Sequence, residues 1–209
     1  LPTSATLLKG FSISGRACGF LEDPPEDVFV GNIATSRGNF MVLEGTWESS
    51  TFYLQRIAEM VDELPNDPSF QSIGNSIFAL LRLSDLTCER AGLRRNVRGA
   101  ESGQSVLPKT LAQQPDALRG LVRFTRGDLQ RSGVTLDQLT PFIWRSGSSA
   151  ELGAQSLGHT ELERRPIALA DEEVYLVLPT SVSAAIRRYF IEALGTSGNR
   201  EIFVNRLTY

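Results

Sequence analysis

Lysine is almost absent from this chain of 209 residues: Lys9 and Lys109 are the only two among 21 basic residues. That scarcity excludes one chemistry at once. A metal-dependent nuclease strand often reads D/E-x-K, and here Leu7 and Leu107 stand where the acid would be. Histidine is scarcer still, with His159 alone. A zinc site needs three or four convergent ligands, and one imidazole supplies one of them. Gly158-His159-Thr160-Glu161 holds the H-x-E half of the zinc-deaminase signature, but the P-C-x-x-C half is missing. A solvated loop is the plainer account of His159. No metal site and no cofactor is expected.

The two cysteines, Cys18 and Cys88, are too few for a disulfide scaffold and are expected as free thiols in a reducing compartment. Cys88 lies between Thr87 and Glu89-Arg90, whose charges pull its acidity in opposite directions, so nothing marks it as an activated nucleophile. No run approaches the roughly 18 apolar residues of a membrane span. The first residues carry neither a basic nor an apolar leader segment. The net charge of -3 and pI of about 5.3 give no bulk attraction to nucleic acid or to an anionic membrane. The expected location is the cytoplasm, with no membrane partner.

Arginine is abundant instead. GC-rich coding, as in many bacteria, accounts for such a bias. Its functional counterpart is planar recognition of phosphate or carboxylate by the guanidinium fork. Leu1 is not an initiator methionine, and Arg200 to Tyr209 alternates like a strand through Ile202 and Val204. The chain is therefore expected to be a piece of a larger intracellular protein.

The hydrophobic pattern predicts an α+β fold: a β-rich N-terminal segment, a helical middle over about residues 49–145, and a C-terminal β-hairpin–helix–strand. Residues 6–21 read as one or two short strands. Val28–Ile33 and Phe40–Leu43 read as a hairpin turning over Ser36-Arg37-Gly38-Asn39. Tyr53, Ile57, Met60, Val61 and Leu64 follow at helical spacing, closed by Pro65. A second helix starts at Asp67-Pro68-Ser69, and Gly74 inside it marks a close helix contact. Ser84-Asp85 is read as the cap of a third, Leu86–Ala91, ended by Gly92. Arg94 to Ser105 reads as a loop. Pro115-Asp116 opens a helix through Phe124, Gly127-Asp128 a short one, and Thr135 caps another over Leu136–Trp144 with an apolar stripe of Leu136, Leu139 and Ile143.

The Gly/Ser-rich stretch 146–158 is read as a linker or loop between subdomains 1–145 and 159–209, which could also pack as one domain. In the second, Pro166–Ala170 and Val174–Leu178 form a hairpin over Asp171-Glu172-Glu173. A helix follows with Val182, Ile186, Tyr189, Phe190, Ala193 and Leu194 buried.

Three places could carry function. Thr180, Ser181 and Ser183 sit at a strand-to-helix corner where an anion could bind. That corner lacks the glycines a phosphate loop requires and the G-x-S-x-G of a nucleophile elbow, so capping is the plainer account. Glu44 and Glu48 flank a strand-to-helix junction and could pair, or merely cap. Arg90, Arg94, Arg95 and Arg98 follow a helix–glycine pattern resembling a helix-turn-helix, and are the nucleic-acid-binding candidates. Asn96, Gly99 and a charged Arg98 weaken a second helix there. The resulting expectation is a non-catalytic interaction or regulatory module whose partners are other domains of a parent protein or a separate protein. A nucleic-acid-binding module is the alternative, and an enzyme with a scattered site is another.

Overall fold

The computed structural model describes residues 29–44, 51–63, 68–91, 115–144 and 161–196. Two strands open it, β1 (Phe29–Thr35) and β2 (Gly38–Glu44), paired antiparallel with Ile33 opposite Phe40. The turn is Ser36-Arg37 alone, two residues tighter than the predicted Ser36–Asn39. Gly38 sits at φ 131°, where a side chain would be strained, and the Thr35 hydroxyl donates to its carbonyl. The run Phe40–Leu43 is apolar without alternation because both its faces are covered. Phe40 and Val42 enter the main core, while Met41 and Leu43 pack on Cys88.

Helix α1 (Thr51–Glu63) and helix α2 (Pro68–Arg90) brace this hairpin. The Gln55 side chain pairs with the backbone of β1 as a strand would: its oxygen accepts the Ala34 N–H at 2.8 Å and its amide donates to the Ala34 carbonyl at 2.7 Å. As the sequence indicated, Gly74 marks a tight helix crossing. A Cβ there would lie 2.5 Å from a Val61 methyl.

The predicted break at Ser84-Asp85 does not occur, and α2 runs on for 23 residues. Asp85 is a mid-helix strut. Its side chain is fully buried, accepting the Met41 N–H at 3.1 Å and pairing with Arg82 at 3.1 Å. A short polar side chain caps a helix only when no better partner waits elsewhere. Here the outward-facing N–H of β2 is that partner.

Helix α3 (Pro115–Val122) stops short of Phe124, against expectation. Arg123-Phe124 forms strand β3 instead, because a ladder with a later strand captures these two residues. Helix α4 (Arg126–Ser132) starts at a Thr125/Asp128 capping box, one residue ahead of the predicted Gly127, and ends at Gly133 in the left-handed conformation. Helix α5 (Leu136–Leu139) has the predicted Thr135 cap but not the predicted length. Pro141 forces a 3₁₀ turn, Thr140–Phe142, and Ile143 leaves the helix to bridge Ile167. The expected stripe accordingly fails at Leu136, which is 43% exposed, while Phe142 is buried.

After the short helix α6 (Glu161–Arg164) come β4 (Ile167–Ala170) and β5 (Glu173–Leu176). Their two-residue turn places Asp171 at φ 51° and Glu172 at φ 62°. This is a hairpin turn built without glycine. A 3₁₀ turn, Pro179–Ser181, leads into α7 (Val182–Thr196). Val182, Ile186, Phe190 and Leu194 are buried as read from the sequence, with Tyr189 and Ala193 packed beside them.

The molecule is α+β, with its described strands in two sheets, β1-β2 and β3-β5-β4. One cluster of buried side chains runs from Ile33 through α1, α2 and Phe124 to Leu194. The strand-like segments 6–21 and 200–209, the loop 94–105 and the stretch 146–158 lie outside the described residues.

Candidate functional site

The polar chemistry gathers where the end of α2 meets β3, α4 and β5. Register sets it up. Phe124 opposite Val174 points into the core, so Arg123 opposite Tyr175 must point to the other face of the sheet. There Arg123 grips Glu173 with two nitrogens of its guanidinium. The Tyr175 hydroxyl donates to the same carboxylate at 3.0 Å and accepts from Arg119 at 3.3 Å. The hydrogen bonds from Arg123 chiefly hold the Glu173 carboxyl below its usual range. Burial opposes them, and Tyr175 and the neighbouring positive charges add to the lowering.

Asp128 forms the second centre. As the third residue of α4 it closes the capping box, accepting the Thr125 N–H at 2.9 Å and the Thr125 hydroxyl at 2.8 Å. Arg90 lies 3.2 Å and Arg131 2.6 Å away. Burial alone would raise this carboxyl. The Thr125 hydrogen bonds, the Arg90 charge and the bond from Arg131 outweigh it and hold the group at about 2.

Arg90 links the two centres. Its guanidinium lies 4.6 Å above the centroid of Phe124 and donates to the carbonyls of Arg123 and Gly120. Gly120 is in the last turn of α3, where carbonyls lack helical partners. A continuous row of contacts thus runs from Arg131 through Asp128, Arg90, Arg123 and Glu173 to Tyr175 and Arg119. Arg126, exposed, begins the same α4 turn. Five guanidiniums against two carboxylates leave three positive charges in surplus, in a chain whose net charge is -3.

The predicted candidates divide. Arg90 is present but engaged as a tie between elements, and Arg94, Arg95 and Arg98 lie outside the described residues. So do His159, Lys9, Lys109 and Glu48. At the α7 corner the Ser181 hydroxyl donates back to the Leu178 carbonyl at 3.1 Å, Thr180 is half-buried, and the buried Ser183 hydroxyl oxygen has no hydrogen-bond partner. Cys88 is fully buried against Met41 and Leu43. Among the described residues, no group of three His, Cys, Asp or Glu is placed to hold a metal ion. No described helix is long and apolar enough to cross a membrane.

Arg119, Arg123, Arg126 and Arg131 went unnoticed in sequence. Four arginines in 13 residues, with one acid among them, was the available signal.

The family model for Upx-like anti-phage proteins matches residues 8–208, nearly the whole chain. The chain belongs to the Upx-like anti-phage family. No curated protein and no solved structure matches it. The Upx-like match takes in both sheets and the arginine row, and it gives the protein a role in defence against phage.

Proposed function

We propose that this Upx-like protein contributes to anti-phage defence as a non-catalytic interaction module of the cytoplasm, docking an anionic partner on its arginine row. One observation carries the reading. Asp128 and Glu173 each accept several hydrogen bonds from arginine, hydroxyl or backbone donors, which hold both carboxyls below the ordinary range. A general base works best near the operating pH with a lone pair free for substrate; these two carboxylates are fixed anions that position guanidiniums. The surplus positive charge is then what the surface offers to another molecule, and charge of one sign steers and selects a partner of the other.

Cells expressing the protein and challenged with a phage panel test this. The charge-reversed variant Arg126→Glu/Arg131→Glu should lose protection in plaque counts, while its circular dichroism shows that it still folds. Arg56→Glu, on the α1 surface away from the row, should protect as wild type. Full protection by the doubly reversed protein would overturn the reading.

A further inference from the structure

We infer that the partner is nucleic acid, held through its phosphate backbone rather than read at its bases. This rests on the docking reading above and names what docks.

The arginines of the row fall into two sets. Arg90 and Arg123 are committed: one to two carbonyls, Phe124 and Asp128, the other to both oxygens of Glu173. Arg119, Arg126 and Arg131 keep donors to offer. Arg119 gives one terminal nitrogen to Tyr175 and buries its Nε, which leaves its other terminal nitrogen to offer. Arg131 is 76% exposed and reaches Asp128 through a single nitrogen. Arg126 is exposed at the start of α4 and has no partner among the described residues.

Guanidinium forks bind phosphate oxygens in pairs, which ammonium groups cannot do. The carboxylates of the row tie in two of the others, Arg119 through Tyr175 and Glu173 and Arg131 through Asp128. An extended row of fixed cations suits a ligand with charge repeated at short, regular intervals, which a nucleic-acid backbone has. Carboxylates on an acidic protein surface are more scattered and would meet single arginines. Guanidinium contacts to phosphate oxygens fix position and carry no base information, so sequence-independent contact follows.

Fluorescence anisotropy with labelled random-sequence DNA duplex, single-stranded DNA and RNA, using the whole chain, tests the inference. At least one should bind at low salt, weaken steeply as salt rises, and bind equally well after its sequence is scrambled. Arg119→Gln/Arg126→Gln/Arg131→Gln should reduce the slope of log affinity against log salt by about 2–3, roughly one for each phosphate no longer neutralised. Arg131→Gln alone, at a 76% exposed position, should reduce it by about one. Arg56→Gln should leave it unchanged. Failure of all three nucleic acids to bind, or a triple variant with an unaltered slope, would overturn the inference. If polyglutamate bound through the same arginines and the nucleic acids did not, the partner would be an acidic protein and the docking reading would stand.

Discussion

The two sheets meet the same difficulty with different side chains. Each is short, and each exposes backbone groups along an edge that must find partners or water. Beside β1-β2, the helices supply acceptors and amides from within: Gln55 on Ala34, Asp62 on the Ser36 N–H, Asp85 on Met41. Beside β3-β5-β4, arginines work from outside: Arg90 on the carbonyls of Gly120 and Arg123, and Arg123 on Glu173. The first solution buries one of its charges, Asp85. The second sets its bracing arginines beside two more, Arg126 and Arg131, that stay exposed. Bracing by arginine therefore also makes an outward-facing site, and bracing by a buried aspartate does not.

The largest effect is expected on the first side. Asp85→Ala strands the Met41 N–H and the Arg82 charge, and should lower unfolding free energy by about 3 kcal/mol in urea titrations. A loss no greater than that of an exposed substitution would mean the buried strut is dispensable.

Arg90→Ala should remove about 2 kcal/mol, because several charge-assisted bonds and a ring contact go together. Combined with Asp128→Ala, the effects should be non-additive by about 1 kcal/mol, since the two side chains meet directly. Additive losses would separate Arg90 from the Asp128 centre.

Acid sharpens the contrast further. The folded Asp128 carboxyl, at about 2, lies below its unfolded value. It therefore stabilises the fold at neutral pH, and that contribution fades as pH falls from about 5 toward 2. Glu173, also lowered, acts in the same direction. Urea midpoints measured between neutral and acid pH should fall less steeply for Asp128→Ala than for wild type. Equal slopes would remove Asp128 as a contributor.

The smallest effect should be a gain. Glu172 occupies the left-handed region at φ 62°, where glycine is unstrained. Glu172→Gly should raise the melting midpoint slightly, worth about 0.5–1 kcal/mol. A lower midpoint would show that the Glu172 side chain stabilises the turn.

Much of this architecture was legible. The β1-β2 hairpin, helices α1 and α7 and the α7 buried face all followed from spacing and breakers. The helix read over Leu136–Trp144 ran through Pro141, a breaker in the sequence itself. The other misread elements were those whose partner lies far along the chain. Ser84-Asp85 has a cap's composition, but Met41 claims the aspartate 44 residues away. Arg123-Phe124 continues a helical pattern, but β5 draws it into a sheet 50 residues on. Arg90 was singled out for a charged neighbourhood in sequence, yet its contacts come from residues 30 positions later.

Local composition by itself determined that this chain alternates short strands with amphipathic helices. It determined where several elements begin, and that its cations would be guanidiniums. These follow from dihedral preference, capping and hydrophobic period, which act over a turn or two of backbone. Only the tertiary structure decided which polar side chains became internal struts and which arginines were left facing outward. A hydrogen bond or ion pair depends on distance in space, and the fold sets that distance without regard to separation in sequence.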